Sequence, residues 1–169
     1  MKILIVFLTL FFLLAEPVSA EYLVAEQSAQ IKVNENETYD NRNTILKKYL
    51  ISKNSPLADY SEQIIYSSDK YELDWRLIPA ITGVESGFGN HMPKDSYNAY
   101  GWANGAYSFN SWNESIEIVT KTLREKYKDK GAQSLSQIGR IYAPPSSTWS
   151  YKVKSFMDDI SQFPLDYTI

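Results

Sequence analysis

The 169-residue chain contains no cysteine and a single histidine, and its seven glycines and seven prolines are scattered rather than clustered. The missing cysteines exclude a disulfide-stapled scaffold, thiol catalysis, thiolate metal sites and a lipid-modified cysteine. One histidine, His91, leaves no convincing Ser-His-Asp set, and no group of residues has metal-ligand spacing. Basic residues are outnumbered, 17 to 20, so the net charge of −3 is not a nucleic-acid footprint. Long apolar runs are scarce too. The one at the start, Ile3–Ala15, is too short to span a bilayer comfortably.

That run has the grammar of a secretory signal. Lys2 supplies the positive charge, Ile3–Ala15 the apolar stretch, and Val18-Ser19-Ala20 a small-residue cleavage site. Residues 1–20 are therefore expected to be a signal peptide, favoured by length over a retained anchor. Its loss would leave the net charge unchanged, since Lys2 and Glu16 go together. Export without disulfides fits a bacterial envelope or secreted protein.

What the chain has in quantity is aromatic residues: 13 Tyr, 7 Phe and 4 Trp, with every tryptophan between Trp75 and Trp149. Residues 21–54 are expected to form a polar leader, rich in Asn, Glu and Gln, with Ile45, Leu46, Tyr49 and Leu50 marking one short helix. A folded domain is expected over 55–165. Ser55-Pro56 opens a helix with Leu57, Tyr60, Ile64 and Ser68 on one face. Asp74 caps the next, in which Leu77, Ile81, Val84 and Phe88 repeat at helical spacing. Pro79 falls inside that pattern, so this helix either starts late or kinks. Ser111-x-x-Glu114 is a capping box opening a helix to Lys130, with Trp112, Ile116, Val119, Leu123 and Tyr127 as its buried stripe. Further helices are expected after Ser134 and from Thr148 to Gln162. Between them, Asn98–Phe109 reads as a small β-hairpin turned by Asn104-Gly105. The expected fold class is mainly α with one hairpin.

Glu85 stands out. It sits at the edge of an apolar helix face, just before Gly87 and Gly89. Burial and the negative end of the helix dipole both disfavour its charge, so its pKa is expected to be raised. A carboxylic acid that keeps its proton is suited to general-acid cleavage of a glycosidic bond. The bland alternative is a surface glutamate near a helix end.

Four stretches in order carry a resemblance: Glu85-Ser86-Gly87-Phe88-Gly89, Tyr97-Asn98-Ala99-Tyr100-Gly101, Ser111-Trp112-x-Glu114-Ser115-Ile116, and Ile141-Tyr142-Ala143-Pro144-Pro145. Together they resemble the bacterial glucosaminidase family (mannosyl-glycoprotein endo-β-N-acetylglucosaminidase-like) of the lysozyme-like superfamily. The resemblance implies a lysozyme-like fold and cleavage of a β-1,4 bond in the peptidoglycan glycan strand, without a cofactor and as a monomer. It implies Glu85 as general acid, Tyr142 beside it, and Asn98 and Tyr100 on the facing wall. Tyr100, Trp102 and Tyr142 are candidate sugar platforms, since aromatic faces stack on the C–H surface of pyranose rings. Ser86, adjacent to the acid, is a candidate substrate contact. Trp75, Trp112 and Trp149 lie on helix faces and are expected in the core.

A hydrolase of this kind normally needs a second carboxylate. Asp95, in the loop after Glu85, is the candidate; Glu114 is accounted for by its capping box and Asp74 by its helix start. A lytic transglycosylase needs no such partner, because the substrate's own 6-hydroxyl attacks, and a non-catalytic wall-binding module needs neither. His91 reads as an exposed loop residue. The basic residues from Lys121 to Lys130 read as a solvated helix face.

Overall fold

The structure is a computed structural model, which describes residues 40–144 and 146–165. The expected signal peptide and most of the expected leader lie outside them. Among the described residues there are six α-helices and no strand. We number the helices α1 (Arg42–Ser52), α2 (Ser61–Lys70), α3 (Leu77–Ser86), α4 (Trp112–Thr122), α5 (Leu135–Tyr142) and α6 (Trp149–Ser161).

α3 is the centre of the fold. Every residue from Leu77 to Thr82 is buried, so its first half is covered on all sides rather than along one stripe. Pro79 is its third residue, in the first turn, where a missing N–H costs nothing; the helix starts late and needs no kink. Asp74 lies upstream of the helix. Its carboxylate accepts from the backbone N–H of Arg76 (3.0 Å) and from the Arg76 guanidinium. α6 packs along α3 and also contacts α5 and α1, while α2 packs on α4. Leu46, Leu50, Ile78, Ile81, Ile116, Val153 and Ile160 meet in one core.

α1 belongs to that core. Leu46, Tyr49 and Leu50 are buried, and the Tyr49 ring meets Phe88 and Phe163 edge-on at 5.6 and 5.5 Å. Arg42 ties α1 to α2 through a two-pronged bond to Asp69 (2.7 and 2.8 Å). The compact unit thus begins at Asp40, and the expected boundary at 55 falls inside it. Apolar residues at 46, 49 and 50 outweigh the polar composition around them.

Ser55 works at both ends of its side chain. Its hydroxyl accepts from Leu57 N–H (3.1 Å) and donates to the Phe88 carbonyl (2.7 Å). The helix it opens is divided: a 3-10 turn, Pro56–Tyr60, precedes α2. α4 starts as expected, with Ser111 accepting from Glu114 N–H (3.1 Å), and the Glu114 carboxylate reaches back to Asn110. It then widens into a π-helical turn, Leu123–Tyr127, before a 3-10 turn and Gly131. Three expected core tryptophans divide: Trp112 and Trp149 are buried, and Trp75 is half-buried against the core. On the basic face, Arg124 pairs with Glu72 and Asp129, and Lys121 lies 3.9 Å from Glu125.

The hairpin expected over 98–109 does not form. A 3-10 turn, Trp102–Gly105, takes its place, and Gly101, Ala103, Asn104 and Gly105 all have positive φ. Asn98 explains the difference. Its side-chain amide donates to the carbonyls of Trp102 and Tyr107 (both 2.9 Å), and its Oδ1 accepts from Trp102 N–H (3.1 Å). Backbone groups that a hairpin would pair across strands are satisfied by one side chain instead.

Candidate functional site

α3 ends at the acid. Gly87, Phe88 and Gly89 are all left-handed, with φ of 58°, 64° and 85°, and Phe88 N–H closes onto the Thr82 carbonyl (2.9 Å). This sharp turn stops the helix one residue after Glu85 and sends the chain back across its end. Ser86 fastens the return. Its hydroxyl meets the Ala99 carbonyl (2.8 Å) and the Thr82 carbonyl (3.2 Å), and it accepts from Gly89 N–H (2.9 Å). The segment 99–101 is thereby held against the end of α3.

Glu85 faces that segment. Its Oε1 accepts a hydrogen bond from the indole N–H of Trp149 (2.7 Å). Its Oε2 lies against Gly101, where a Cβ would come within 2.7 Å of it. Glu85 is half-buried, and burial raises its pKa above the ordinary carboxylate range while the bond from Trp149 works in the opposite sense. The lift expected from the sequence is present, with desolvation as its cause.

Two hollows flank this point. One, of about 370 Å³, is lined by Glu85, His91, Met92, Pro93, Asn98 and Gly101 among others. The second, of about 410 Å³, is lined by Thr122, Tyr127 and Tyr142 together with Gly101–Asn104. Gly101 and Asn104 border both, so the hollows adjoin along the 101–104 turn beside the carboxyl group.

Tyr142 is half-buried on the wall of the second hollow. Its hydroxyl donates to the Tyr100 carbonyl (2.7 Å), and its ring stacks on Trp149 with centroids 5.0 Å apart at 27°. Burial, and then the negative charge of Glu85, raise its pKa well above the usual phenol value. Trp102 lines the same hollow, half-buried, with Tyr107 edge-on at 6.0 Å.

Other expected site residues are placed differently. Tyr100 is fully buried, and its hydroxyl has no hydrogen-bond partner among the described residues. Its ring is core and offers no sugar platform; only its carbonyl serves the site. Asn98 is 2 % exposed and its amide is committed to the 102–107 turn, so it shapes the groove rather than holding a ligand. Ser86 is buried and its hydroxyl is likewise spent on backbone. Asp95 is exposed, with φ of 56°, and lines neither hollow. His91 is exposed but borders the first hollow.

Among the residues that the sequence does not assign to the site, Trp149 and Gly101 touch the acid itself. The helix stripe puts Trp149 in the core; its ring is buried, yet its N–H reaches the acid. A buried indole needs an acceptor, and that need was the available signal. In the sequence Gly101 figures only within the stretch from Tyr97. Its signal is the absence of a side chain between two large aromatics, Tyr100 and Trp102.

Comparison with protein-family models, with curated proteins and with solved structures finds no significant match to this chain. Among the described residues no helix is long and apolar enough to cross a membrane.

Proposed function

We propose that this protein is an exported peptidoglycan-cleaving glycosidase, of the endo-β-N-acetylglucosaminidase-like type, with Glu85 as its general acid. The observation that carries the reading is a half-buried carboxyl group, its pKa raised by desolvation, lining one of two adjoining hollows and set against Gly101, which borders both. Glycan on both sides of the acid is what internal cleavage of a strand requires. The restriction to peptidoglycan rests on the motif resemblance and on the signal-like first twenty residues.

In this reading the Glu85 proton passes to the bridging glycosidic oxygen as the anomeric C–O bond breaks. Both electrons of that bond leave with the oxygen, and an oxocarbenium-like sugar remains. Tyr142 and Trp102 supply the aromatic wall on one side. Water then adds to the anomeric carbon and returns a proton to Glu85, giving hydrolysis.

A specific observation favours a second outcome. Glu85 is the only carboxylate among the residues lining the two hollows, and Asp95 lies outside them. A nucleophile from the substrate itself fits that arrangement. An acetamido oxygen that later yields to water still gives hydrolysis; an attacking 6-hydroxyl, whose proton goes to Glu85, gives a 1,6-anhydro end and a lytic transglycosylase.

Digestion of purified peptidoglycan followed by mass analysis of the fragments tests all of these together. Reducing-end GlcNAc supports the glucosaminidase, and reducing-end MurNAc moves the cut to the other bond. Anhydro-MurNAc establishes the transglycosylase. Glu85→Gln is expected to lose roughly 10²–10⁴-fold in rate, the usual share of a general acid. Intact glycan with wild-type protein, or equal clearing by wild type and variant, defeats the proposal.

A further inference from the structure

The two oxygens of Glu85 are not equivalent. Oε1 is engaged by the Trp149 indole N–H at 2.7 Å, whereas Oε2 faces Gly101, which has no side chain. These surroundings form a closed circuit. Glu85 is bonded to Trp149, Trp149 is stacked on Tyr142, and Tyr142 is bonded to the Tyr100 carbonyl. The next residue, Gly101, returns to Glu85.

We propose that Trp149 and Gly101 are positioning residues that decide which oxygen of Glu85 delivers the proton: Trp149 occupies Oε1, and Gly101 clears the space for Oε2. This rests on Glu85 being the acid of the proposed reaction. In a protonated carboxyl group the carbonyl oxygen is the better acceptor and the hydroxyl oxygen carries the hydrogen. An N–H donor on Oε1 therefore makes Oε1 the carbonyl oxygen and assigns the proton to Oε2. Gly101 borders both hollows, so Oε2 is directed to the place where two sugar units would join.

The nature of the donor matters. A lysine or arginine would orient the carboxyl equally well, but a cation so close would lower its pKa by about 1–3 units and strip the acid of its proton. The neutral indole also lowers the pKa, but burial outweighs that bond and the net shift stays upward. The stack with Tyr142 holds the indole plane, and α6 packing on α3 holds its distance. At Gly101 two constraints coincide. A φ of +70° disfavours any L side chain, and a Cβ would push on Oε2.

The test is spectroscopic first and kinetic second. The titratable side chains lining the two hollows are Glu85, His91, Tyr127 and Tyr142. In wild-type protein labelled with ¹⁵N-Trp and ¹³C-Glu, the Trp149 indole resonance is expected to move with pH at the same midpoint as the Glu85 carboxyl carbon. Glu85→Gln should abolish that movement. An indole resonance indifferent to the Glu85 titration, or one that still titrates in Glu85→Gln and so follows His91, overturns the proposal. Neither readout needs turnover or a core substitution, so both hold if Trp149→Phe fails to fold.

Where Trp149→Phe does fold, the Glu85 midpoint and the alkaline limb of kcat/KM should both move to higher pH, because a bond favouring the carboxylate is gone. Its kcat should fall roughly 10–10²-fold from misorientation, with KM little changed. Gly101→Ala is expected to lower kcat similarly. An unmoved midpoint in folded Trp149→Phe sinks the positioning role and leaves the glycosidase reading intact. Coupled titrations in a wild type that leaves peptidoglycan uncut would sink the glycosidase reading and proton delivery with it, leaving only the Trp149–Glu85 bond.

Discussion

Glu85 pays a desolvation penalty only when it is ionised, and its raised pKa turns that into a pH dependence of stability. A carboxyl group with a higher pKa folded than unfolded favours the folded state below the unfolded value. That contribution is lost as pH rises through the folded value. Glu85→Gln keeps an acceptor for Trp149 and removes the charge. The variant should therefore melt at a higher temperature than wild type at pH 7, and the gap should close below about pH 4, where glutamate itself is neutral. Thermal melts of both proteins across pH 3–8 check this. A gap that persists at acid pH would mean that burial of the charge is not its origin. The raised pKa was legible from the sequence, because a glutamate at the rim of an apolar helix face has few ways to stay hydrated. Its bonding partner was not, because Trp149 lies 64 residues away and its stripe reads as ordinary core.

At the scale of elements, periodicity and capping located the helices well. Ser111, Ser134 and Gly131 mark real ends, and Ser134 with Gln137 forms a complete capping box. The segment 98–109 departs from a hairpin although Asn104-Gly105 satisfies the local rule for a tight turn, because the side chain that overrides it, Asn98, sits outside the turn. Asn98, Tyr100 and Ser86 show a common pattern. All lie within motif stretches, yet all are buried: Asn98 and Ser86 hold backbone, and Tyr100 fills the core. Ser86 provides the sharpest case. Ser86→Ala would strip partners from the Ala99 carbonyl and the Gly89 N–H, both in buried surroundings. A cost of about 1–3 kcal/mol follows from unsatisfied buried groups. Urea denaturation should show a lower midpoint at an unchanged slope, and a variant within about 0.5 kcal/mol of wild type would contradict this account.

For the molecule as a whole, α1 is the surprise. A chain beginning at Ser55 would carry every residue that lines the two hollows yet lack Leu46, Tyr49 and Leu50. Burial of side chains of this size stabilises by about 1.5–3 kcal/mol each, which together rivals the total stability of a typical domain. A chain starting at Asp40 should show one cooperative thermal transition. One starting at Ser55 should show none and should expose apolar surface to a dye such as ANS. Cooperative melting of the shorter chain would show that α1 is dispensable.

The widened turn at Leu123–Tyr127 has a consequence for how this chain tolerates change in length. A π-helical turn accommodates one more residue than an α-helical turn over nearly the same rise. Loss of a single residue there, such as Glu125, would let the helix relax to ordinary pitch with little harm to its backbone bonds. Because the lost residue is the extra one, Tyr127 would keep roughly its orientation on the wall it shares with Tyr142. The segment that best absorbs a deletion therefore lies beside the groove, and the groove's aromatic side should outlast the loss.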